Sequence, residues 1–225
     1  YYSALRELGV NIDFISVDAD VSPYTLIIAP SLPIIDSAFV SKCKASSAQF
    51  IFGPRSGAKT TEFGYPTNLP PGLLQTLIPI RVLSVETLRE DCAEALNWNG
   101  KHYESCRWRE QLDAGDTEVI AKYHNDEPAI VRNERFIYLG TLTNRDCLLD
   151  FLQQQSHQNS IDTYRFDEDI RVSQRGKLIF AFNYSDQQHL LPLDSDTTLL
   201  LGNRIIQPHG ITVWQASDKA PLLKK

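Results

Sequence analysis

The amino-acid sequence predicts an α/β domain built on a doubly wound sheet, followed by a small all-β sandwich domain. Helix-like and strand-like patterns alternate along the first half of the chain with short connections, as they do in α/β folds. A polar stretch at 153–160 then indicates a linker, and the pattern after it is all β. The 225 residues suffice for one or two domains at about 100–200 residues each. We therefore expect an α/β domain at 1–155 and a β-sandwich domain at 156–225.

The first five elements are short and closely spaced. Tyr1, Leu5 and Leu8 fall on one helical face, and Gly9 stands where a helix ends, so residues 1–8 predict a helix. We expect strands at 12–17 and at 25–29, and the second is a continuous apolar run of the kind that is buried on both faces of a parallel sheet. Asp36 can cap a helix that runs to about Ser46, and 49–52 predicts the next strand.

A long proline-rich loop, Gly53 to Pro79, follows these elements. A loop of this length is usually functional or part of an interface. We expect it to contain a short helix at 72–77. Further predicted strands lie at 81–85, 101–109, 117–123, 129–131 and 135–140. Asn144 can then cap a helix over 145–155, which completes the first domain.

The predicted second domain consists of short strands separated by turn residues at intervals of about 8–12 residues, the spacing typical of a sandwich. About 60 residues make a thin core, so we expect this domain to lean on a neighbour. The chain contains no Met and opens inside a helical pattern. We expect from this that it is a piece of a longer polypeptide.

Composition and charge exclude several classes of function. The net charge of −6 argues against general nucleic-acid binding and against an anionic membrane surface. No apolar run approaches the ~20 residues that cross a bilayer. The four cysteines lack metal-ligand spacing, so we expect no metal site but mostly buried free thiols in a reducing cytoplasm.

Motifs for catalysis and cofactor binding are incomplete. Gly53-Pro54-Arg55-Ser56-Gly57 follows a strand like a nucleophile elbow, but Arg55 holds the middle place and Ser56 comes one residue late. An amidotransferase would need Cys in such a turn, and no cysteine of this chain occupies one. No G-x-G-x-x-G follows a strand, and the histidines are scattered. We therefore predict no catalytic residue, no cofactor and no metal ligand.

Several stretches taken together resemble family 42 glycoside hydrolases, the bacterial β-galactosidases. The similar stretches are YYSALRELG at 1–9, DF at 13–14, DAD at 18–20, YTLIIAP at 24–30, FGPRSGAK at 52–59, LPPGLL at 69–74, WREQL at 108–112, FNYS at 182–185 and PHGI at 208–211. Their order and spacing cover nearly the whole chain. The sequence departs from the family at 45–48 and at 125–128, where ASSA and NDEP stand in place of glycine turns.

The resemblance implies what the chain is and what it lacks. In the family an amino-terminal (β/α)8 barrel carries the catalytic glutamates, and that barrel is absent here. What remains resembles the trimerisation domain, with a flavodoxin-like or amidotransferase-like fold, and the small carboxy-terminal β domain. The parent then resembles a retaining β-galactosidase that hydrolyses terminal β-D-galactosides. The implied partners are further copies of the chain in a homotrimer, the parent's barrel and, through the parent, galactosides, while the chain alone is expected to be inactive.

We expect the trimer interface on the proline-rich loop, because it carries apolar residues with no obvious partner. The candidate interface residues are Arg55, Lys59, Phe63, Tyr65, Leu69 and Leu73. Two other classes of function stay open at this point, a freestanding carbohydrate-binding module and a cryptic hydrolase or amidotransferase. Trp214 could stack on a sugar, although a Trp at the end of a strand is more often part of the core.

Overall fold

The computed structural model describes residues 1–216. The chain divides into two compact units. The large unit is Ile15–Cys147, and the small unit combines Tyr1–Phe14 with the chain from Leu148 onward. Within 1–216, no helix is long and apolar enough to cross a membrane. The end of the predicted sandwich domain, 217–225, lies outside the described residues.

Residues 1–216 form three α-helices, one short 3-10 helix and fifteen strands. The helices are α1 (Tyr2–Glu7), α2 (Ser37–Ala45) and α3 (Arg145–Gln158), with a short 3-10 helix at Gly72–Thr76. The strands of the large unit are β1 (Leu26–Ala29), β2 (Gln49–Phe52), β3 (Arg81–Thr87), β4 (Glu94–Trp98), β5 (Lys101–Asp113), β6 (Glu118–Tyr123), β7 (Pro128–Asn133), β8 (Phe136–Leu139) and β9 (Thr141–Thr143). Those of the small unit are β10 (Ile170–Arg175), β11 (Leu178–Asn183), β12 (His189–Leu190), β13 (Leu199–Leu201), β14 (Ile205–Ile206) and β15 (Ile211–Gln215).

The large unit is built on one mixed sheet of nine strands. Its order is β1-β2-β8-β7-β6-β4-β5-β3, and β9 pairs with β5. Only the β1–β2 and β2–β8 pairs are parallel, and the other pairs are antiparallel. The α/β class is thus confirmed, but the alternating parallel pattern ends after three strands. The pairs β4–β5, β6–β7 and β7–β8 join consecutive strands through short turns, which gives antiparallel pairing. The pairs β3–β5, β4–β6 and β5–β9 are also antiparallel but join strands that are not consecutive in the chain.

The core of the large unit surrounds the parallel strands. Phe50 and Phe52 are fully buried, and their ring centroids lie 6.1 Å apart. Phe136 of β8 lies 5.8 Å from Phe50 between ring centroids. Burying each such side chain contributes about 2–3 kcal/mol. Strand β8 is buried along its whole length, as the apolar run in the sequence predicts.

As far as residue 216, the small unit contains two antiparallel sheets, one of four strands ordered β10-β11-β15-β13 and one formed by β12 and β14. Ile170, Val172, Ile179 and Trp214 contribute to its core. Trp214 is 3% exposed, so it is a core residue, as the sequence favours, and it offers no surface on which a sugar could stack.

Two predicted segments are wrong. Residues 12–17 form no strand, because their side chains are mostly exposed and no neighbouring strand pairs with them. The predicted linker at 153–160 is instead helical as far as Gln158, since glutamine is a good helix former. Gln155 and Ser156 are moreover buried, which a polar pattern does not predict.

The predicted caps at the starts of α2 and α3 and the predicted end of the first helix are confirmed. Phe39 donates its backbone N–H to Asp36 Oδ1 at 2.8 Å, which caps α2. The N–H of Cys147 likewise reaches Asn144 Oδ1 at 3.2 Å at the start of α3. Gly9 ends the first helical segment with a φ of +70°.

None of the four cysteines, which all lie within residues 1–216, forms a disulfide bond. Cys43 and Cys147 are buried, Cys92 is exposed and Cys106 is partly exposed, so only half of them match the expected burial. Burial raises the pKa of the Cys43 thiol to about 12, which keeps it protonated and unreactive at neutral pH.

Candidate functional site

The turn that resembles a nucleophile elbow lies at the carboxyl end of β2, where the proline-rich loop begins. Its middle residue, Arg55, has a left-handed φ of +67°. Ser56 is fully buried, and its Oγ donates to the carbonyl oxygen of Gly53 at 2.8 Å. The same Oγ accepts the N–H of Leu32 at 3.1 Å. The Ser56 hydroxyl therefore holds the turn together from inside, and the exposed side chain at its apex is that of an arginine.

Glycines on either side of Arg55 allow the backbone to pack very closely. A Cβ atom at Gly53 would lie 1.8 Å from the carbonyl oxygen of Pro30. One at Gly57 would lie 2.0 Å from the carbonyl oxygen of Pro71, and Gly57 has a φ of +68°. Both distances are far below van der Waals contact, so neither position can carry a side chain without moving the backbone. The glycines fix the turn against two other segments of the large unit.

A buried carboxylate of strand β5 anchors the turn through hydrogen bonds. Glu110 of β5 is 1% exposed and accepts three hydrogen bonds. Its Oε1 accepts the backbone N–H of Arg55 at 2.9 Å and the indole N–H of Trp108 at 3.1 Å. Its Oε2 accepts the phenol O–H of Tyr138 at 2.7 Å. Glu110 thus ties β5 and β8 to the elbow-like turn.

The pKa of Glu110 reflects this mixed environment. Burial raises it above the ordinary value of 4.5, while the hydrogen bonds from Tyr138, Trp108 and the Arg55 backbone lower it, as does the nearby Arg55 charge. Burial is the largest of these effects, and the net shift is upward. The pKa of Tyr138 is raised well above its ordinary value, first by burial and then by the Glu110 charge.

Cation–π contacts position both of the basic candidate residues. The Arg55 guanidinium lies over the Trp108 ring, 5.3 Å from its centroid. Lys59 Nζ lies 3.9 Å from the centroid of the Tyr65 ring. Arg55 is exposed and Lys59 is partly buried. Both cations therefore rest on aromatic side chains, which restrains them more than free solvation would.

The four apolar candidates are all exposed. Phe63 and Tyr65 are 74% and 73% exposed, and Leu69 and Leu73 are also open to solvent. The segment that carries Leu69 is held in place, because Gln75 Nε2 donates to its carbonyl oxygen at 2.9 Å. A fixed loop that exposes large apolar side chains is typical of an interaction surface.

Sequence reasoning missed two further apolar residues beside this loop. Leu83 and Val85 of the edge strand β3 are 51% and 54% exposed. The carbonyl oxygen of Pro70 accepts the N–H of Val82 at 2.8 Å, which joins the loop to that strand. We call Leu69, Leu73, Leu83 and Val85 the apolar edge. Alternating apolar residues predict a strand with one buried face, so the sequence places Leu83 and Val85 in the core. Only the structure shows that they are exposed.

A second charged cluster lies on the antiparallel part of the sheet. Arg109 forms ion pairs with three carboxylates: Glu94 at 3.0 Å, Glu86 at 3.2 Å and Glu127. Burial lowers the pKa of Arg109, but the charge of Glu94 and the contacts with Glu86 and Glu127 raise it by more. Arg109 therefore stays charged and joins β5 to its neighbours. In the part of the chain that the structure describes, no group of three or more His, Cys, Asp or Glu side chains could hold a metal ion.

The small unit contains a Ser-His-Asp sequence of contacts. His189 Nδ1 lies 2.6 Å from Asp167 Oδ2, and His189 Nε2 lies 2.8 Å from Ser185 Oγ. The Ser185 hydroxyl is also engaged locally, because it lies 2.9 Å from Asn183 Oδ1 and accepts the N–H of Gln187 at 3.2 Å. This pattern closes the turn after β11 and commits the hydroxyl to it.

Replacing Asn183 by alanine is expected to lower the melting temperature of the small unit by several degrees. The Asn183 side chain is buried and donates to the carbonyl oxygens of Gln187 and Gln207. Alanine removes both of these hydrogen bonds and also the acceptor of the Ser185 N–H, Asn183 Oδ1, at about 0.5–1.5 kcal/mol for each bond. Differential scanning calorimetry should show this loss, whereas the control Asn203→Ala, an exposed position, should melt like the unmodified chain. Equal melting temperatures for the two variants would contradict this role.

The sequence of this chain matches two known domain families, one after the other. Residues 1–162 match the β-galactosidase trimerisation domain, and residues 169–216 match the β-galactosidase C-terminal domain. The chain belongs to the trimerisation-domain family of the glycoside hydrolase family 42 β-galactosidases. The resemblance found in the sequence is therefore confirmed, and the chain corresponds to the non-catalytic, C-terminal portion of this family.

Individual relatives support the same assignment. A β-galactosidase of Thermus thermophilus is 30% identical over 215 residues, which are 96% of this chain and 33% of that protein. The β-galactosidase BgaH of Haloferax lucentense is 26% identical, over 96% of this chain and 34% of its own length. The chain thus spans about a third of the length of the relatives that it matches.

Solved structures agree on the fold. The crystal structure of a β-galactosidase from the psychrophilic Marinomonas ef1 superposes with a TM-score of 0.90 at 27% identity, over 96% of this chain and 33% of that one. The β-galactosidase of the Antarctic haloarchaeon Halorubrum lacusprofundi gives a TM-score of 0.86 at 22% identity, over 96% of this chain and 35% of its own. At that identity the second likeness concerns the fold alone.

Proposed function

We propose that this trimerisation-family chain assembles and stabilises a homotrimer through its large unit, and that the catalytic activity belongs to a longer β-galactosidase. The observation that carries the proposal is the apolar edge together with the exposed aromatic residues of the adjoining loop. A hydrogen bond from Gln75 fixes the loop at Leu69, whereas Leu83 and Val85 lie on strand β3. All these residues belong to a unit that matches a trimerisation domain.

The physical argument concerns how such a surface closes into a ring. A cyclic trimer uses two different patches, one on each neighbour, and contacts of this kind close after three copies. Burying apolar surface contributes about 25 cal/mol per Å², and a loop that is already ordered loses little entropy on docking. Tyrosine and tryptophan commonly dominate interface energies, which favours Tyr65 as a central contact.

The activity and the partners of the whole protein follow from the same proposal. The parent would hydrolyse terminal β-D-galactosides with a separate catalytic barrel, which would be the second partner of this chain. Four cysteines that form no disulfide bond among residues 1–216 favour a reducing compartment such as the cytoplasm. No observation supports direct galactoside binding by this chain, and Trp214 is buried.

We also propose a finer description of the fold. The parallel strands β1, β2 and β8, with α2 between the first two, support a flavodoxin-like or amidotransferase-like origin for the large unit. The two antiparallel sheets of the small unit support a sandwich. The division of the chain at residue 155 stays a prediction.

Introducing aspartate at the apolar edge tests the proposal. The double variant Leu69→Asp/Leu83→Asp is expected to be a monomer at concentrations where the unmodified chain is a trimer, because burying two unpaired charges costs several kcal/mol per contact. Light scattering gives the mass of each species. The control Val17→Asp changes an exposed apolar residue of the same unit away from the apolar edge and should remain trimeric. A double variant that stays trimeric would overturn the assignment of the interface.

A further inference from the structure

We propose that Arg55 is a preformed binding site for a carboxylate, and that a second copy of the chain supplies this carboxylate in the trimer. The inference rests on the proposed function and deepens it, because it names the chemistry of one contact. It draws on the backbone of the turn, the surroundings of the guanidinium and the charge of the chain.

The backbone at Arg55 is strained and held in place from several directions. A left-handed φ costs an L-residue about 1–2 kcal/mol, and such conformations persist only where the surrounding structure enforces them. Here the two close glycines, the buried Ser56 hydroxyl and the Glu110 carboxylate all act on the same five residues. A simple surface turn needs none of this, so we infer that the position of the Arg55 side chain is what the turn maintains.

Glu110 fixes the side chain as well as the backbone. The same carboxylate oxygen that accepts the Arg55 N–H also accepts the indole N–H of Trp108. The Trp108 ring is thereby oriented, and the Arg55 guanidinium rests above it. One buried acid thus holds both the arginine and the surface that supports it, which lowers the entropy lost when the guanidinium binds a partner.

The guanidinium has donors to spare. Among residues 1–216 it makes no hydrogen bond or ion pair; it lies over the Trp108 ring, and it attracts the Glu110 carboxylate electrostatically. Other arginines of the chain already pair with carboxylates: Arg81 with Asp113, Arg109 with three glutamates and Arg165 with Asp150. Stacking on an aromatic ring leaves the planar fork of N–H groups free to bind a carboxylate with two parallel hydrogen bonds.

Two observations indicate that the carboxylate belongs to a second copy. The chain carries 28 acidic residues against 22 basic ones, so a copy offers more anions than its own cations neutralise. Arg55 also stands at the start of the same loop that leads to the apolar edge, and a charged contact beside an apolar one sets the register of an interface.

Arginine variants test this contact directly. We expect Arg55→Glu to weaken trimer association by about 100-fold or more, since it turns an attraction into a repulsion. We expect Arg55→Lys to weaken it by about tenfold, because lysine keeps the charge but loses the fork. Sedimentation equilibrium at low and high sodium chloride gives the association constants, and the Arg55→Glu effect should shrink at high salt.

Arg107 provides a matched control. It is an exposed arginine of the same unit with a similar φ of +61°, and it forms a long ion pair with the exposed Glu90 at 3.8 Å. Arg107→Glu should change association by no more than about twofold. If Arg55→Glu associates like Arg107→Glu while Leu69→Asp/Leu83→Asp is monomeric, the carboxylate site is wrong and the proposed function stands. If the unmodified chain is monomeric at every concentration, both proposals fail.

Discussion

Replacing Gly57 by alanine is expected to lower the free energy of unfolding of the large unit by about 2–5 kcal/mol. Two costs add at this position. An alanine at the left-handed φ of +68° costs about 1–2 kcal/mol, and its Cβ would lie 2.0 Å from the carbonyl oxygen of Pro71. That carbonyl is part of the backbone, so relieving the clash requires one segment to move, at a further cost of about 1–3 kcal/mol.

The variant Gly100→Ala measures the cost of the left-handed backbone without the cost of the clash. It has a similar φ of +72°, but nothing lies within 4 Å of the Cβ that alanine would introduce. Gly100→Ala should therefore cost only about 1–2 kcal/mol. Urea unfolding of both variants, with unchanged m-values, measures the difference. Equal losses of stability would show that the close approach at Pro71 contributes nothing.

Replacing Glu110 by alanine is expected to cost about 3–5 kcal/mol. The change leaves three donors buried without an acceptor: the Arg55 N–H, the Trp108 indole and the Tyr138 hydroxyl. Each unpaired buried donor costs about 1–3 kcal/mol, and some will find water. The control Glu104→Ala removes an exposed carboxylate from the same strand and should stay within about 0.5 kcal/mol of the unmodified chain. A similarly small loss for Glu110→Ala would contradict its role as the anchor of the turn.

The pH dependence of stability gives a second test of Glu110. Its pKa is raised in the folded state, so between 4.5 and that raised value the folded chain binds more protons than the unfolded one. The contribution of Glu110 to stability is therefore fully present at low pH and declines as pH rises through this window. Glu110→Gln removes the effect. The stability of the unmodified chain relative to Glu110→Gln should then be highest at low pH and fall toward neutral pH, and a rise would contradict the assigned environment.

Local chemistry explains which parts of the fold were predictable from the sequence. The helix caps at Asp36 and Asn144 and the presence of a strand at 26–29 depend on neighbours in the sequence, and these predictions succeeded. The burial of that strand was predicted wrongly, because β1 is only partly buried along its length. The pairing of strands depends on distant segments. The antiparallel extension of the sheet and the unpaired segment at 12–17 therefore could not be derived from periodicity.

The site shows the same division. The motif at 53–57 located the tight turn, but its anchor, Glu110, lies more than fifty residues away along the chain. The stretch WREQL at 108–112, which resembles the family, contains Glu110 but does not reveal its role. Side chains alternate along a strand, so Trp108 and Glu110 face the turn together while Arg109 joins the acidic cluster. Only the fold distinguishes these two roles.

The mass of the unmodified chain in solution tests the central claim most directly. Light scattering over a concentration series should give a species of three times the 25.5 kDa of one chain, with dissociation only on strong dilution. Such a result would establish that this chain carries its own assembly surface. A mass of one chain at every concentration would contradict the account.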